Sequence, residues 1–322
     1  MKIKTKKLLT TLLKIILFGV FMFLIAWQIQ TRTEKYNLLQ AFAENFSWSR
    51  IYLLFIALVL MPVNIFLESI KWNKLISNFN EKFDMKQAIQ SMLCGSFFGF
   101  MTPNRVGEFV VRLKPLEPAY RSRALTAGYW GGIAQFLVTF SFGIYMGGKT
   151  IVQHANIKSI DSYTVPLAFA IILITSVIYF NLKTVLSWVS KFPLLRKITE
   201  KYPVEYEIPK NQLLIILGIT LLRYVIYVCQ YAIILLFFGV NLPFSLLFSS
   251  VSTMLIIHTM FPSVPFIDLG VKGNALMLIL RNLTANELGI ILSVISIWLI
   301  NIIIPAIFGY YFFIQTKKKT VE

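Results

Sequence analysis

The sequence predicts an all-α polytopic membrane protein with six full spans, two re-entrant broken hairpins and an inverted-topology repeat. Three observations carry that prediction. Hydrophobic residues make up 57% of the 322-residue chain and charged residues only 14%, with mean hydropathy +0.71. A soluble domain sits near about 45–50% apolar and about 25% charged. Next, residues 87–101 and 246–260 are apolar segments of 15 residues each. At ~1.5 Å rise per residue such a helix reaches deep into ~30 Å of hydrocarbon but is short for crossing it. Finally, both segments end in Met-x-Pro, as Met101-Thr102-Pro103 and Met260-Phe261-Pro262, and resume beside charge and glycine at Arg105-Val106-Gly107-Glu108 and Asp268-Leu269-Gly270. Charged Pro-Gly breaks are tolerated at membrane depth only where protein or a watery cavity covers them. A matching pair of breaks in two halves is the strongest sequence pointer to a transport site.

Along the chain, residues 8–28 form the first expected span. Lys2, Lys4, Lys6 and Lys7 precede it as in a signal peptide, but Trp27-Gln28-Ile29-Gln30 offers no small-residue cleavage site. The expectation is an uncleaved anchor, with Lys14 snorkelling to the inner interface. The remaining spans are residues 51–70, 124–146, 165–182, 213–238 and 288–313. Trp27, Trp48, Trp72 and Trp188 fall at span ends, as interfacial aromatics do.

Basic residues set the expected orientation. With the N-terminus cytoplasmic and both broken segments returning to their own side, 23 of the 31 Lys and Arg lie inside. A crossing first segment would put the cluster around Arg112, Lys114, Arg121 and Arg123 outside, against the positive-inside rule. The order is then span, span, hairpin, span, and the same again from the opposite side. The expected halves are residues 1–154, with a hairpin at 87–113, and 155–322, with a hairpin at 246–281. Both termini are expected in the cytoplasm of a bacterial inner membrane.

Three constellations carry the candidate site. In Pro103 to Arg112, Pro103 stops the first arm. Asn104 suits a helix cap and Glu108 faces the positive end of the second arm. Glu108 and Arg112 stand four apart and can pair. In the second break, Asp268 and Lys272 have the same spacing. Arg223 sits near mid-span, where an unpaired cation is expensive. Glu108 or Asp268 is its expected partner. The substrate-binding expectation is Asn104, Arg105, Glu108, Arg112, Arg223, Asp268 and Lys272, with arginines gripping a phosphate bidentately. Each pair also has a purely structural reading, as a capped turn or a buried ion pair. Glu68 with Lys71 marks the inner end of the second span. Gln135, His258 and Asn301 hydrogen-bond across helices, and Gly131-Gly132 permits close helix packing.

The net charge of +17 fits cytoplasmic loops and anionic lipid and does not call for nucleic acid. Cys94 and Cys229 lie inside apolar segments and make no disulfide framework. His154 and His258 are the two histidines. No metal cluster, Walker loop, Gly-x-Ser-x-Gly or dinucleotide fingerprint occurs, so the chain is expected to be neither an enzyme nor a cofactor or metal protein.

Pro103, Arg105, Gly107, Glu108 and Arg112 follow a Pro-x-Arg-x-Gly-Glu-x-x-Arg pattern. Here, and in segment order, the chain resembles the lysylphosphatidylglycerol synthase transmembrane-region family of flippase-like membrane proteins. Its second hairpin departs from the family's Gly-Val-Arg-Glu: Lys272-Gly273 stands there, and Asp268 is the acid at hand. The resemblance implies movement of phospholipid or of a lipid-linked envelope intermediate between leaflets. The partners it implies are an anionic phospholipid, a polyprenyl-phosphate-linked lipid, or an envelope-biosynthesis enzyme. Family members that make aminoacylated lipid carry a joined synthetase domain; with the chain ending at Glu322, that activity is not expected. Two other readings stay open: a non-transporting accessory subunit, and a small-molecule or ion-coupled transporter.

Overall fold

The structure is a computed structural model, and it describes residues 43, 46, 48–102, 105–155, 161–192, 207–259 and 265–319. The chain divides into two compact units, residues 1–46 and 47–322. Every element below belongs to the second, and the expected span at 8–28 lies outside the described residues.

All regular elements among the described residues are helical. α1 runs Ile51–Ser77, after a 3-10 turn at Trp48–Arg50, and α2 runs Met85–Phe100. α2 begins in a capping box: the Gln87 amide donates to Asp84 Oδ1 at 2.7 Å, and the Asp84 amide donates to Gln87 Oε1 at 3.1 Å. α3 is the short helix Val106–Arg112, and α4 is the 38-residue Pro118–Ala155. α5, Asp161–Phe180, and α6, Leu182–Val189, meet at a bend of 94°. α7 is Lys210–Phe237, α8 Phe244–Thr259 and α9 Pro265–Leu280. α10, Glu287–Trp298, runs through a π turn at Leu299–Ile303 into α11, Ile304–Lys319. Pro305 explains the π turn, because it has no N–H for the Asn301 carbonyl and its ring crowds that group.

Among the described residues, three helices are long and apolar enough to cross a membrane: Trp48–Ser77, Lys210–Phe237 and Glu287–Gln315. The bent α5–α6 pair raises the number to four. The expected span at 165–182 therefore ends early, at Phe180, with Leu182 already past the bend. The expected span at 124–146 lies within α4, which is long enough but outside that apolar set. Gln135, Thr139, Ser141 and a run of glycines lower its hydropathy, and it packs against α7 and α8.

The packing is strongly pairwise. α1 packs along α7, α2 along α11, and α4 along α8. Small residues allow the closest of these contacts. A Cβ on Gly309 would strike the Leu93 carbonyl of α2, and one on Gly143 or Gly147 would strike Ile256 or Thr253 of α8. The expected close-packing pair behaves otherwise: Gly131 has ordinary clearance and Gly132 has open space. Trp72, Leu75, Phe83, Ala124, Trp130 and Tyr179 belong to one buried apolar cluster. Trp72 is thus a core residue, 3% exposed, whereas Trp48 and Trp188 stand exposed at helix ends.

Candidate anion site at the helix breaks

α2 and α3 fold back on each other around Met101–Arg105, giving the first break its hairpin shape. Thr102 fastens the tip. Its hydroxyl donates to the Phe98 carbonyl at 2.8 Å and accepts from the Gly107 amide at 2.8 Å. Gly107 is required there, because a Cβ would sit 2.7 Å from the Phe98 oxygen. The residue that caps α3 is Arg105, at φ 54° and ψ 25°, the left-handed region that a side chain disfavours. The cap expected of Asn104 therefore falls one residue later, and Asn104 itself lies outside the described residues.

Glycines on α2 admit the charged face of α3. Glu108 Cγ and Arg112 Cγ lie 3.2 and 3.3 Å from where a Gly95 Cβ would be, and Glu108 Oε2 lies 3.1 Å from that of Gly99. Glu108 pairs with Arg112, as its spacing predicts, and with Arg105 Nε at 2.7 Å. Arg112 also reaches Glu68 on α1 at 3.4 Å, with its guanidinium 5.9 Å from the ring centres of Trp72 and Phe109.

Glu68 is the hub that sequence reasoning missed. It pairs with Lys71 at 2.7 Å, with Arg112, and with Arg223 from α7. Arg223 further donates from Nε to Asn64 Oδ1 at 3.0 Å. The partner expected for Arg223 was Glu108 or Asp268; its carboxylate is Glu68. The available signal was the spacing Asn64, Glu68, Lys71, which aligns three polar side chains on one face of an otherwise apolar helix. Lys71 is 5% exposed, so it is a buried ligand of this carboxylate and not a loop charge.

At the second break, Asp268 in the first turn of α9 faces His258 Nε2 of α8 at 2.6 Å and Lys272 Nζ at 3.7 Å. Asp268 and Arg105 are close enough for their charges to act on each other. The two breaks therefore lie within electrostatic reach of each other. Nearby, Asn301 donates to Gln230 Oε1 at 2.9 Å, and Gln230 donates to the Ala57 carbonyl at 2.7 Å, which ties α1, α7 and the π turn together. Gln135 instead bonds along its own helix to Thr139, at 3.3 Å.

Among these residues Lys71, Arg105, Arg112, Arg223 and Lys272 face Glu68, Glu108 and Asp268, a formal excess of two positive charges. All but Arg105, whose side chain is 41% exposed, are at least three-quarters buried. Buried charge is tolerated when paired, and an excess of cations leaves guanidinium donors for an anion.

A family model described as "Lysylphosphatidylglycerol synthase TM region" matches residues 11–309. The chain belongs to that family. As a member of the lysylphosphatidylglycerol synthase TM family with several long apolar helices, it is a multi-pass membrane protein of a lipid-handling group. The family match runs through both breaks and every residue of the site. No curated protein and no solved structure matches the chain.

Proposed function

We propose that this protein binds the phosphate-bearing headgroup of an anionic phospholipid or polyprenyl-phosphate-linked lipid at the paired breaks and carries it between leaflets of a bacterial cytoplasmic membrane. The observation behind this reading is the buried, net-cationic cluster drawn from both breaks and from α1 and α7. Arg105, the exposed member, is the first contact for an incoming phosphate. Arg112 and Arg223, already held by carboxylates, exchange part of those pairings for phosphate oxygens. The outer face of α3 is apolar and exposed at Val106, Phe109 and Val110. Acyl or prenyl chains stay against that face, in lipid, while the headgroup enters the polar region.

The same reading includes both hairpins as re-entrant and the halves 1–154 and 155–322 as inverted repeats, with both termini cytoplasmic. Packing supports it. The first arm of each hairpin lies against the last helix of the opposite half, α2 on α11 and α8 on α4, while α1 and α7 occupy equivalent places and pack on each other. Such an exchange is what a two-fold axis in the membrane plane produces.

The test is leaflet exchange in proteoliposomes with a headgroup-labelled anionic phospholipid, alongside native mass spectrometry of co-purified lipid. Faster exchange than in protein-free vesicles, lost in Arg105→Ala, supports the reading. Exchange no faster than in empty vesicles, with no retained anionic lipid, overturns it in favour of an accessory subunit of an envelope enzyme.

A further inference from the structure

The two breaks hold their carboxylates by different chemistry. At the first, Glu108 is held by Arg105 and Arg112. Guanidinium keeps its proton at every physiological pH, so this tip has fixed charge. At the second, Asp268 is held by His258 and Lys272. Imidazole is the side chain whose charge state changes across the physiological range. The contrast extends to the first arm of each hairpin. Counting back from the matched Met101 and Met260, Gly99 and His258 occupy the same position. Glu108 packs directly onto Gly99, whereas an imidazole stands between the arms at the second break.

We propose that His258 and Asp268 form a proton-binding site, so that the second hairpin takes up a proton and changes its charge while the first does not. The 2.6 Å contact holds one hydrogen between Nε2 and the carboxyl oxygen; with Asp268 ionised that hydrogen is on Nε2 and Nδ1 is the acceptor. An incoming proton binds Nδ1, and the Nε2 hydrogen stays shared with Asp268 Oδ1. No bond other than N–H forms. Among the described residues, groups that act on the pair include Lys272 of α9, Arg105 of α3 and Tyr231 of α7, with Tyr227 acting on Arg105. With His258 neutral, Asp268 and Lys272 balance; with it protonated, the second tip adds one positive charge to a region already rich in cations. The proton is therefore a second ligand that strengthens anion binding. Its link to headgroup movement rests on the function proposed above.

Two measurements separate the proton site from that function. In a His154→Gln background His258 is the single histidine, and its imidazole NMR signals report its protonation with no change at the site. We expect one protonation step, whose midpoint changes in Asp268→Asn. Leaflet exchange of the headgroup-labelled phospholipid is then followed against pH. We expect several-fold faster exchange on the acid side of that midpoint, and a flat profile in His258→Gln. An imidazole that does not titrate, or that ignores Asp268→Asn, overturns the proton site whatever the vesicles show. An imidazole that titrates beside a pH-independent exchange keeps the site and overturns its coupling. Absence of exchange in the parent protein counts against headgroup movement, and the imidazole titration alone then decides the proton site.

Discussion

Arg223 of α7 donates to the Glu68 carboxylate of α1, 155 positions away in the chain. This contact, with the Asn64 bond beside it, locks the two helices that form the centre of the helix packing. Arg223→Gln should destabilise the protein by about 3 kcal/mol, toward the low end for breaking a buried pair, because Glu68 keeps Lys71 and Arg112. A double-mutant cycle with Glu68→Gln, read by thermal unfolding in detergent, should give a coupling of about 1–3 kcal/mol. A larger coupling of Arg223 to Glu108 than to Glu68 would make the hub assignment wrong.

Much of this arrangement is legible in the sequence, and the failures have physical causes. The 15-residue arms and the Met-x-Pro breaks locate α2 and α8 within two residues, since proline and glycine act locally. The Glu108–Arg112 and Asp268–Lys272 pairs follow from helical spacing alone. Glu68 reads from the sequence as a local pair with Lys71, because that nearer basic residue is a sufficient partner. Its tertiary partners come from other helices, and no periodicity encodes them. The cap went to Asn104 by propensity, while the turn is set by Thr102 and Gly107, which force Arg105 into the left-handed region. Trp72 reads as interfacial because it ends an apolar run, yet it belongs to the buried apolar cluster, with the Arg112 guanidinium beside its ring.

Arg105 combines a disfavoured backbone with a useful charge. Arg105→Gly and Arg105→Ala both remove the ion pair with Glu108, and glycine alone relieves the φ of 54°. The glycine variant should be more stable than the alanine variant by about 1 kcal/mol, with headgroup exchange lost equally in both. Equal melting temperatures would show that the turn is not strained.

Among the tip charges, Glu108→Gln and Arg112→Ala should lower both stability and exchange, because both side chains are nearly buried. Arg105→Ala, at the exposed end, should lower exchange with the smaller effect on folding. Lys317→Ala is the control, since one tail charge contributes about 1 kcal/mol of attraction to anionic lipid. Full exchange in all three tip variants would reduce the first break to a capped turn.

Glycine packing offers a test that needs no substrate. Gly309→Ala places a methyl group against the Leu93 carbonyl and should cost about 1–3 kcal/mol by overpacking. Gly132→Ala meets open space and should be neutral or slightly stabilising, as alanine favours helix. Limited proteolysis in detergent separates the two; equal protection would mean that α2 and α11 are not in such close contact.

Orientation can be read by cysteine labelling after replacing Cys94 and Cys229. Single cysteines at Lys82 and Lys114 should both react from the cytoplasmic side. Reaction of the Lys114 site from the opposite side would show that the first hairpin crosses.

The pairing of α2 with α11 also dictates an order of assembly. α2 ends at Phe100 and its packing partner starts at Ile304. At a ribosomal rate of about 5–20 residues per second, the first hairpin emerges some tens of seconds before the surface that covers it. During that interval Glu108 and Arg112 have each other but not their full enclosure, and the nascent chain is open to membrane proteases and insertion chaperones. A ribosome stalled before residue 304 should therefore leave the α2–α3 segment protease-sensitive, and release of the full chain should protect it.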